Sequence, residues 1–262
     1  MNPTLILADT ATMLRRDVRH AVRFPMLTIS GLIMPVLFLL LFDGVFGHTL
    51  RAGLGSTVSG GYINYVLPGI LVMTAASVAE ATALGVNADM GEGIIARFRT
   101  MAIWRPSVLA GQVVGSVART LITGAAVCFF ALALGLSTNG KALDWLAAVG
   151  LFVLLSFALS WLTVAFGLLA KTPSGANSLA LILVVLPFLS SAFVPTATMP
   201  PGVRAFAEYQ PFTPIIDTLR GLLTGTPSGQ HGLVAVAWCV GIAVVASLWA
   251  VKLYNRDSPI AI

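Results

Sequence analysis

Uninterrupted apolar runs, each about as long as a lipid bilayer is thick, constrain this chain more than any other feature. A helix needs about 20 residues to cross the roughly 30 Å hydrocarbon layer. Runs of that order fall at 24–46, 65–86, 108–136, 143–170, 176–194 and 233–253. Hydrocarbon offers no partner to an unpaired amide or carbonyl, so a lipid-facing run of this kind must be helical. The expectation is an all-α polytopic membrane protein with six transmembrane helices, the first kinked at Pro35. Composition agrees. Of the 262 residues, 57% are hydrophobic and only 10% are charged, against about 25% charged in a soluble domain. A single transmembrane domain over 1–262 uses nearly the whole length. Cys128 and Cys239 both lie inside apolar runs, which argues against a disulfide framework.

Basic residues give the orientation. With the N-terminus inside, the cytoplasmic side receives Arg15, Arg16, Arg19, Arg23, Arg97, Arg99, Arg105, Lys171, Lys252 and Arg256. The outer side receives Arg51, Lys141, Arg204 and Arg220, and Arg119 lies within a span. This asymmetry predicts both termini in the cytoplasm. It also accounts for the net charge of +5 without nucleic acid, since no aromatic-basic surface accompanies the charge. The four arginines before the first run resemble the start of a signal peptide. The run is span-length, however, and no small-x-small cleavage site follows, so an uncleaved first span is expected.

Three segments outside the spans carry helical signals. In 1–23, Leu7, Ala11, Leu14, Val18 and Val22 recur at helical spacing beside the arginines, which predicts an interfacial amphipathic helix on the cytoplasmic face. The most charged interruption, NADMGEGIIARFRTMAIWRPS at 87–107, sits between the second and third spans. As a helix over 88–105, it gathers Ile94, Ile95, Phe98 and Met101 on one face, with Glu92, Arg99 and Thr100 opposite. At 199–223, Met199-Pro200-Pro201 opens one short helix, and Thr213-Pro214 reads as N-cap and first-turn proline of a second. Neither is long enough to cross, so the pair is expected to be interfacial or re-entrant on the outer side.

Few residues point to chemistry. GLSTNGKA at 135–142 nearly matches a phosphate-binding loop, but Ala142 lacks the hydroxyl for magnesium and a span, not a sheet strand, precedes it. SGG at 59–61 echoes an ATPase signature loop. Both lie on the outer side of the predicted topology and read as glycine-rich turns, so this chain is not expected to bind ATP. His20, His48 and His231 are too dispersed for a metal site, and no catalytic constellation assembles. Glu80 and Arg119 are the exceptions, because an intramembrane charge costs at least about 2.5 kcal/mol and needs a partner or water. They are expected to pair, as part of the path or only as a lock between two helices, or to line a hydrated cavity. Trp104, Trp145, Trp238 and Trp249 fall near span ends and read as interface anchors.

Three segments carry a family resemblance: NADMGEGIIARFRTMAIWRPSVLAGQVVGSV at 87–117, AKTPSGANSL at 170–179 and PFLSSAFVPTATMPPGVRAFAEYQPFTPIIDTLRGLL at 187–223. They resemble the membrane subunits of type-2 ABC exporters, in particular the daunorubicin/doxorubicin-resistance permeases. Pro214 departs from the broader type-2 pattern, which has His, Arg, Ser or Tyr there, so the likeness is to the branch. The resemblance implies a permease without catalytic residues, dimeric with itself or with a sister subunit, in a bacterial cytoplasmic membrane. A separate ABC ATPase would bind ATP and magnesium. It implies that 1–23 is the connecting helix and 88–105 the coupling helix, with Asp89, Glu92, Gly93, Ala96, Arg97, Arg99 and Thr100 toward the ATPase.

The function expected is ATP-driven export of an amphiphilic or hydrophobic compound such as a drug, antibiotic or lipid. Its path would lie between protomers along the first, second and fifth spans, with Met73, Ser77 and Glu80 lining it. Two alternatives are a polysaccharide or glycolipid export permease of the same architecture and a proton-coupled secondary transporter using Glu80. The first needs a continuous polar, aromatic-lined channel and the second inverted repeats; the sequence shows neither.

Overall fold

The computed structural model describes residues 25–45, 61–91, 105–226 and 229–255. The regular elements among them are all helical. Helix α1 (Pro25–Leu40) continues into a π-helical turn at Leu41–Val45. Then come α2 (Tyr62–Gly91), α3 (Arg105–Ala133), α4 (Ala142–Leu169), α5 (Pro173–Val185), α6 (Pro201–Tyr209), α7 (Phe212–Thr224) and α8 (Gln230–Asn255). Four are long and apolar enough to cross a bilayer: α2, the Leu109–Ala133 part of α3, α4, and the His231–Asn255 part of α8.

The bundle is built around α2. Every residue from Tyr62 to Ala76 is buried, the behaviour of a helix that is apolar on all sides. It packs against α1, α3, α4, α5 and α7. Lipid tails are as apolar as leucine, so helix association here depends on close packing and small residues rather than on burial from water. Gly69 on α2 shows this, because a Cβ there would lie 2.6 Å from the Ala192 Cβ. At the other end of α2, a Cβ on Gly167 of α4 would lie 2.6 Å from the Ala83 carbonyl oxygen. A second apolar cluster at that end joins Val86, Leu109, Val113, Trp161, Val164, Ala250 and Tyr254.

Local signals set several helix ends. Asp144 accepts from the Lys141 amide at 2.8 Å, satisfying a donor at the start of α4. Thr172 caps α5 by accepting from the Gly175 amide at 3.2 Å, with Pro173 opening the helix. The KTPSG turn between α4 and α5 is tight for this reason.

The fifth apolar run differs from the continuous span expected over 176–194. Its α-helix stops at Val185 and tightens into a 3-10 turn at Leu186–Leu189, and residues 190–194 form turns and a bend. Pro187 has no amide hydrogen to continue an α-helical ladder. Side chains from elsewhere take the carbonyls released beyond it: Tyr62 donates to the Phe193 oxygen at 2.9 Å, and Tyr65 to the Ser191 oxygen at 3.1 Å. With these partners, and with Ser190 to Phe193 buried in protein, the irregular backbone presents little unpaired polar surface to lipid.

Helices α6 and α7 occupy the stretch where two short helices were expected, with one correction. Helix α7 begins at Phe212, so Thr213 is not its cap. The Thr213 hydroxyl instead donates back to the Ala207 carbonyl, tying α7 to α6. Cys128 and Cys239 are free thiols.

Candidate functional site

Helix α2 also positions the residues expected to matter for transport. Toward its C-terminal half, one edge leaves the protein interior: Ser77, Ala81, Gly85 and Ala88 are exposed, and Glu80 is half-buried beside them. Their spacing of about four residues places them along one helix face. Met73, one turn earlier, is part of the core. Ser77 and Glu80 therefore share an accessible edge, and Met73 does not.

Behind that edge lies a polar contact between three helices. Thr82 of α2 sits 2.9 Å from the Ser116 hydroxyl of α3, and Ser160 of α4 sits 2.8 Å from it on the other side. Arg119 reaches Thr82 with its Nη2 at 3.5 Å. The salt bridges among the described residues are Arg204–Glu208 and Asp217–Arg220, so Glu80 forms none there. Thr120 and Ser160 also donate to their own helices, at Ser116 and Ser156 respectively, which satisfies these hydroxyls without water.

At the C-terminal end of α2, the chain enters the segment expected to couple to an ATPase. Asp89 lies in the last turns of α2, where Gln112 Nε2 of α3 donates to its Oδ2 at 2.8 Å. Asn87 donates to the Gly167 and Ala170 carbonyls at 3.1 and 2.7 Å, fixing the same end of α2 to the end of α4. Both ends of the 92–104 connection are thus anchored on the bundle. Glu92, Gly93, Ala96, Arg97, Arg99 and Thr100 lie outside the described residues, as do Trp104 and the amphipathic 1–23 segment.

The opposite end of α2 holds a polar knot that the sequence reading missed. Arg220 of α7 donates through Nη1 to Asp217 Oδ1 at 2.6 Å, through Nη2 to the Ser191 carbonyl at 2.6 Å, and through Nε to the Tyr65 carbonyl at 3.2 Å. Its guanidinium lies 3.8 Å from the Tyr65 ring centroid, a cation–π contact. Ser191 Oγ completes the ring by donating to Asp217 Oδ1 at 2.7 Å. In the sequence, Arg220 counted only as an outer-side charge. The signal that could have found it is the Asp217–Arg220 pair at i, i+3, set among the apolar Ile215, Ile216 and Leu219.

Residues 8–224 match the ABC-2 type transporter family. The chain belongs to that family. This ABC-2 permease is 30% identical over 253 residues to the daunorubicin resistance ABC transporter permease protein DrrB1 of Streptomyces coeruleorubidus, covering 96% of this chain and 88% of that one. It is 23% identical over 254 residues to the probable doxorubicin resistance ABC transporter permease protein DrrC of Mycobacterium tuberculosis, covering 97% and 91%. It is 27% identical over 241 residues to the putative transport permease ycf38 of Porphyra purpurea, covering 89% and 80%.

As an ABC-2 permease, the chain is a multi-pass membrane protein and the non-catalytic membrane component of its transporter. Its partner is an ABC ATPase subunit. The buried hydroxyls and the anchored ends of α2 therefore belong to a transport machine and not to an enzyme active site.

Proposed function

We propose that this permease exports an amphiphilic or hydrophobic compound across a bacterial cytoplasmic membrane, energised through 88–105 by a separate ATPase that binds the ATP and magnesium. Near full-length similarity to drug-resistance permeases carries this reading. The bundle supports it in two ways. Anchoring Asp89 to Gln112 and Asn87 to α4 lets a push on the intervening segment reach α2 and α3 as rigid bodies. The exposed Ser77–Glu80 edge of α2 supplies a weakly polar strip suited to an amphiphile passing between two copies or between sister subunits. The working topology has six crossings with both termini cytoplasmic, α1 and α5 with its 3-10 extension completing the count and α6 and α7 on the outer side.

The test is purification of the permease with its ATPase, followed by transport in proteoliposomes. Wild type should retain the ATPase and move substrate only with ATP. Scrambling 92–100 should release the ATPase and stop transport. Full ATP-dependent transport by the scrambled protein would overturn the coupling assignment, and transport with no ATPase present would overturn the ATP-driven reading.

A further inference from the structure

We infer that the pocket beside the Arg220–Asp217 pair binds the headgroup of a lipid carrying a primary ammonium next to a phosphate. The pocket is a cavity of about 230 Å³ lined by Tyr65, Ser191, Pro195, Thr196, Asp217 and Arg220. Its two formal charges are one anion and one cation. Their side chains are 30% and 17% exposed respectively, so both are partly withdrawn from solvent while still reachable from outside.

The hydrogen bonds leave matched capacity on both charges. Asp217 uses Oδ1 for Arg220 and Ser191, and Oδ2 has no partner among the described hydrogen bonds. Arg220 spends one N–H each from Nε, Nη1 and Nη2 on Tyr65, Asp217 and Ser191. A guanidinium has five such hydrogens, so two remain. The site can accept one more donor at the carboxylate and give two more to an acceptor. A lone phosphate would meet the repulsion of Asp217, and a lone amine that of Arg220. A group holding both charges a few ångströms apart satisfies both. A quaternary ammonium has no N–H to give Oδ2, which sets a primary amine apart from choline.

Depth argues for a lipid as the source. Helix α2 has 30 residues, or about 45 Å at 1.5 Å per residue, against a hydrocarbon layer of about 30 Å. Its ends therefore extend to headgroup level, and Tyr65 lies within the first turn at one end. The chain on either side of the Ser191 wall presents Phe188, Leu189 and Val194 outward, each more than a third exposed. Leu181, Ile182 and Val185 continue that apolar surface down α5, giving acyl chains a path away from the headgroup.

Binding is independent of export and is measured without ATP or ATPase. The detergent-purified full-length permease is titrated with phosphatidylethanolamine, phosphatidylcholine, phosphatidylglycerol and soluble glycerophosphoethanolamine, and bound lipid is counted by native mass spectrometry. Phosphatidylethanolamine should bind about tenfold more tightly than the other two lipids. Thr196→Trp, which fills the cavity while leaving every residue of the knot unchanged in sequence, should remove that preference, as should Asp217→Asn. Glu208→Gln, on the exposed surface of α6, should keep it. Equal binding of the three lipids, or an unchanged preference in Thr196→Trp, overturns the proposal. Occupancy by the soluble headgroup at the same concentration overturns the lipid as its source.

Discussion

Gln112 of α3 and Asp89 of α2 meet at 2.8 Å across the mouth of the segment that joins their helices. Asp89 stands three positions before this connection at 92–104 and Gln112 about two helical turns after it, so the hydrogen bond ties the two helices together near its base. On the proposed coupling through 88–105, a force on the connection would be shared by both helices.

Gln112→Leu tests this closure. Loss of a charge-assisted hydrogen bond should cost about 1.5–3 kcal/mol locally. ATP-driven transport should fall several-fold while the ATPase still co-purifies. Unchanged transport would show that the Asp89–Gln112 contact carries no force.

The approach of α4 to α2 at Gly167 should tolerate no side chain. Gly167→Ala places a methyl 2.6 Å from a backbone oxygen that cannot move aside, and overpacking of this kind costs about 1–3 kcal/mol. Thermal unfolding in detergent should show a lowered midpoint. Gly150→Ala on the same helix, with nothing within 4 Å of the added carbon, should leave it unchanged.

Arg220→Met should destabilise the protein more than any single hydroxyl deletion in the bundle. It takes the cationic partner from Asp217, leaving that carboxylate only the Ser191 hydroxyl, and removes one donor each from the Ser191 and Tyr65 carbonyls. Breaking a buried pair costs about 3–5 kcal/mol, and the partial exposure here brings the expectation to about 2–3 kcal/mol. Ser116→Ala removes one shared hydroxyl between Thr82 and Ser160 and should cost only about 0.6 kcal/mol. Comparing the two unfolding midpoints checks the ranking.

Glu80→Gln separates path from scaffold. Glu80 has no salt bridge among the described residues, so the folded yield and melting midpoint should not fall. If Glu80 lines the path, the apparent affinity for a cationic amphiphile should drop several-fold, with less change for a neutral one. A loss of folded protein instead would assign Glu80 to packing.

Helix α4 shows how much was legible beforehand. Its apolar run predicts 143–170 and the helix occupies Ala142–Leu169, because a long apolar stretch in lipid can satisfy its backbone only as a helix. The fifth run was less legible. Hydropathy continues to Val194, but Pro187 and distant tyrosines end the regular structure before it.

Sequence by itself determined the helical class, the membrane environment, the positions of the long helices and, through its motifs, the family. These follow from local rules: apolar length, proline and glycine punctuation, and the cost of bare backbone in hydrocarbon. Only the tertiary structure decided which polar groups meet. Arg220 and Tyr65 are 155 positions apart, Asn64 and Ser137 are 73, and Ser160 and Ser116 are 44. No periodicity records such distances, since a helix spacing says which face a residue occupies and not which helix will face it. Packing around α2 made that choice, and with it turned Asp217 and Arg220 from charges on a short helix into the walls of a pocket.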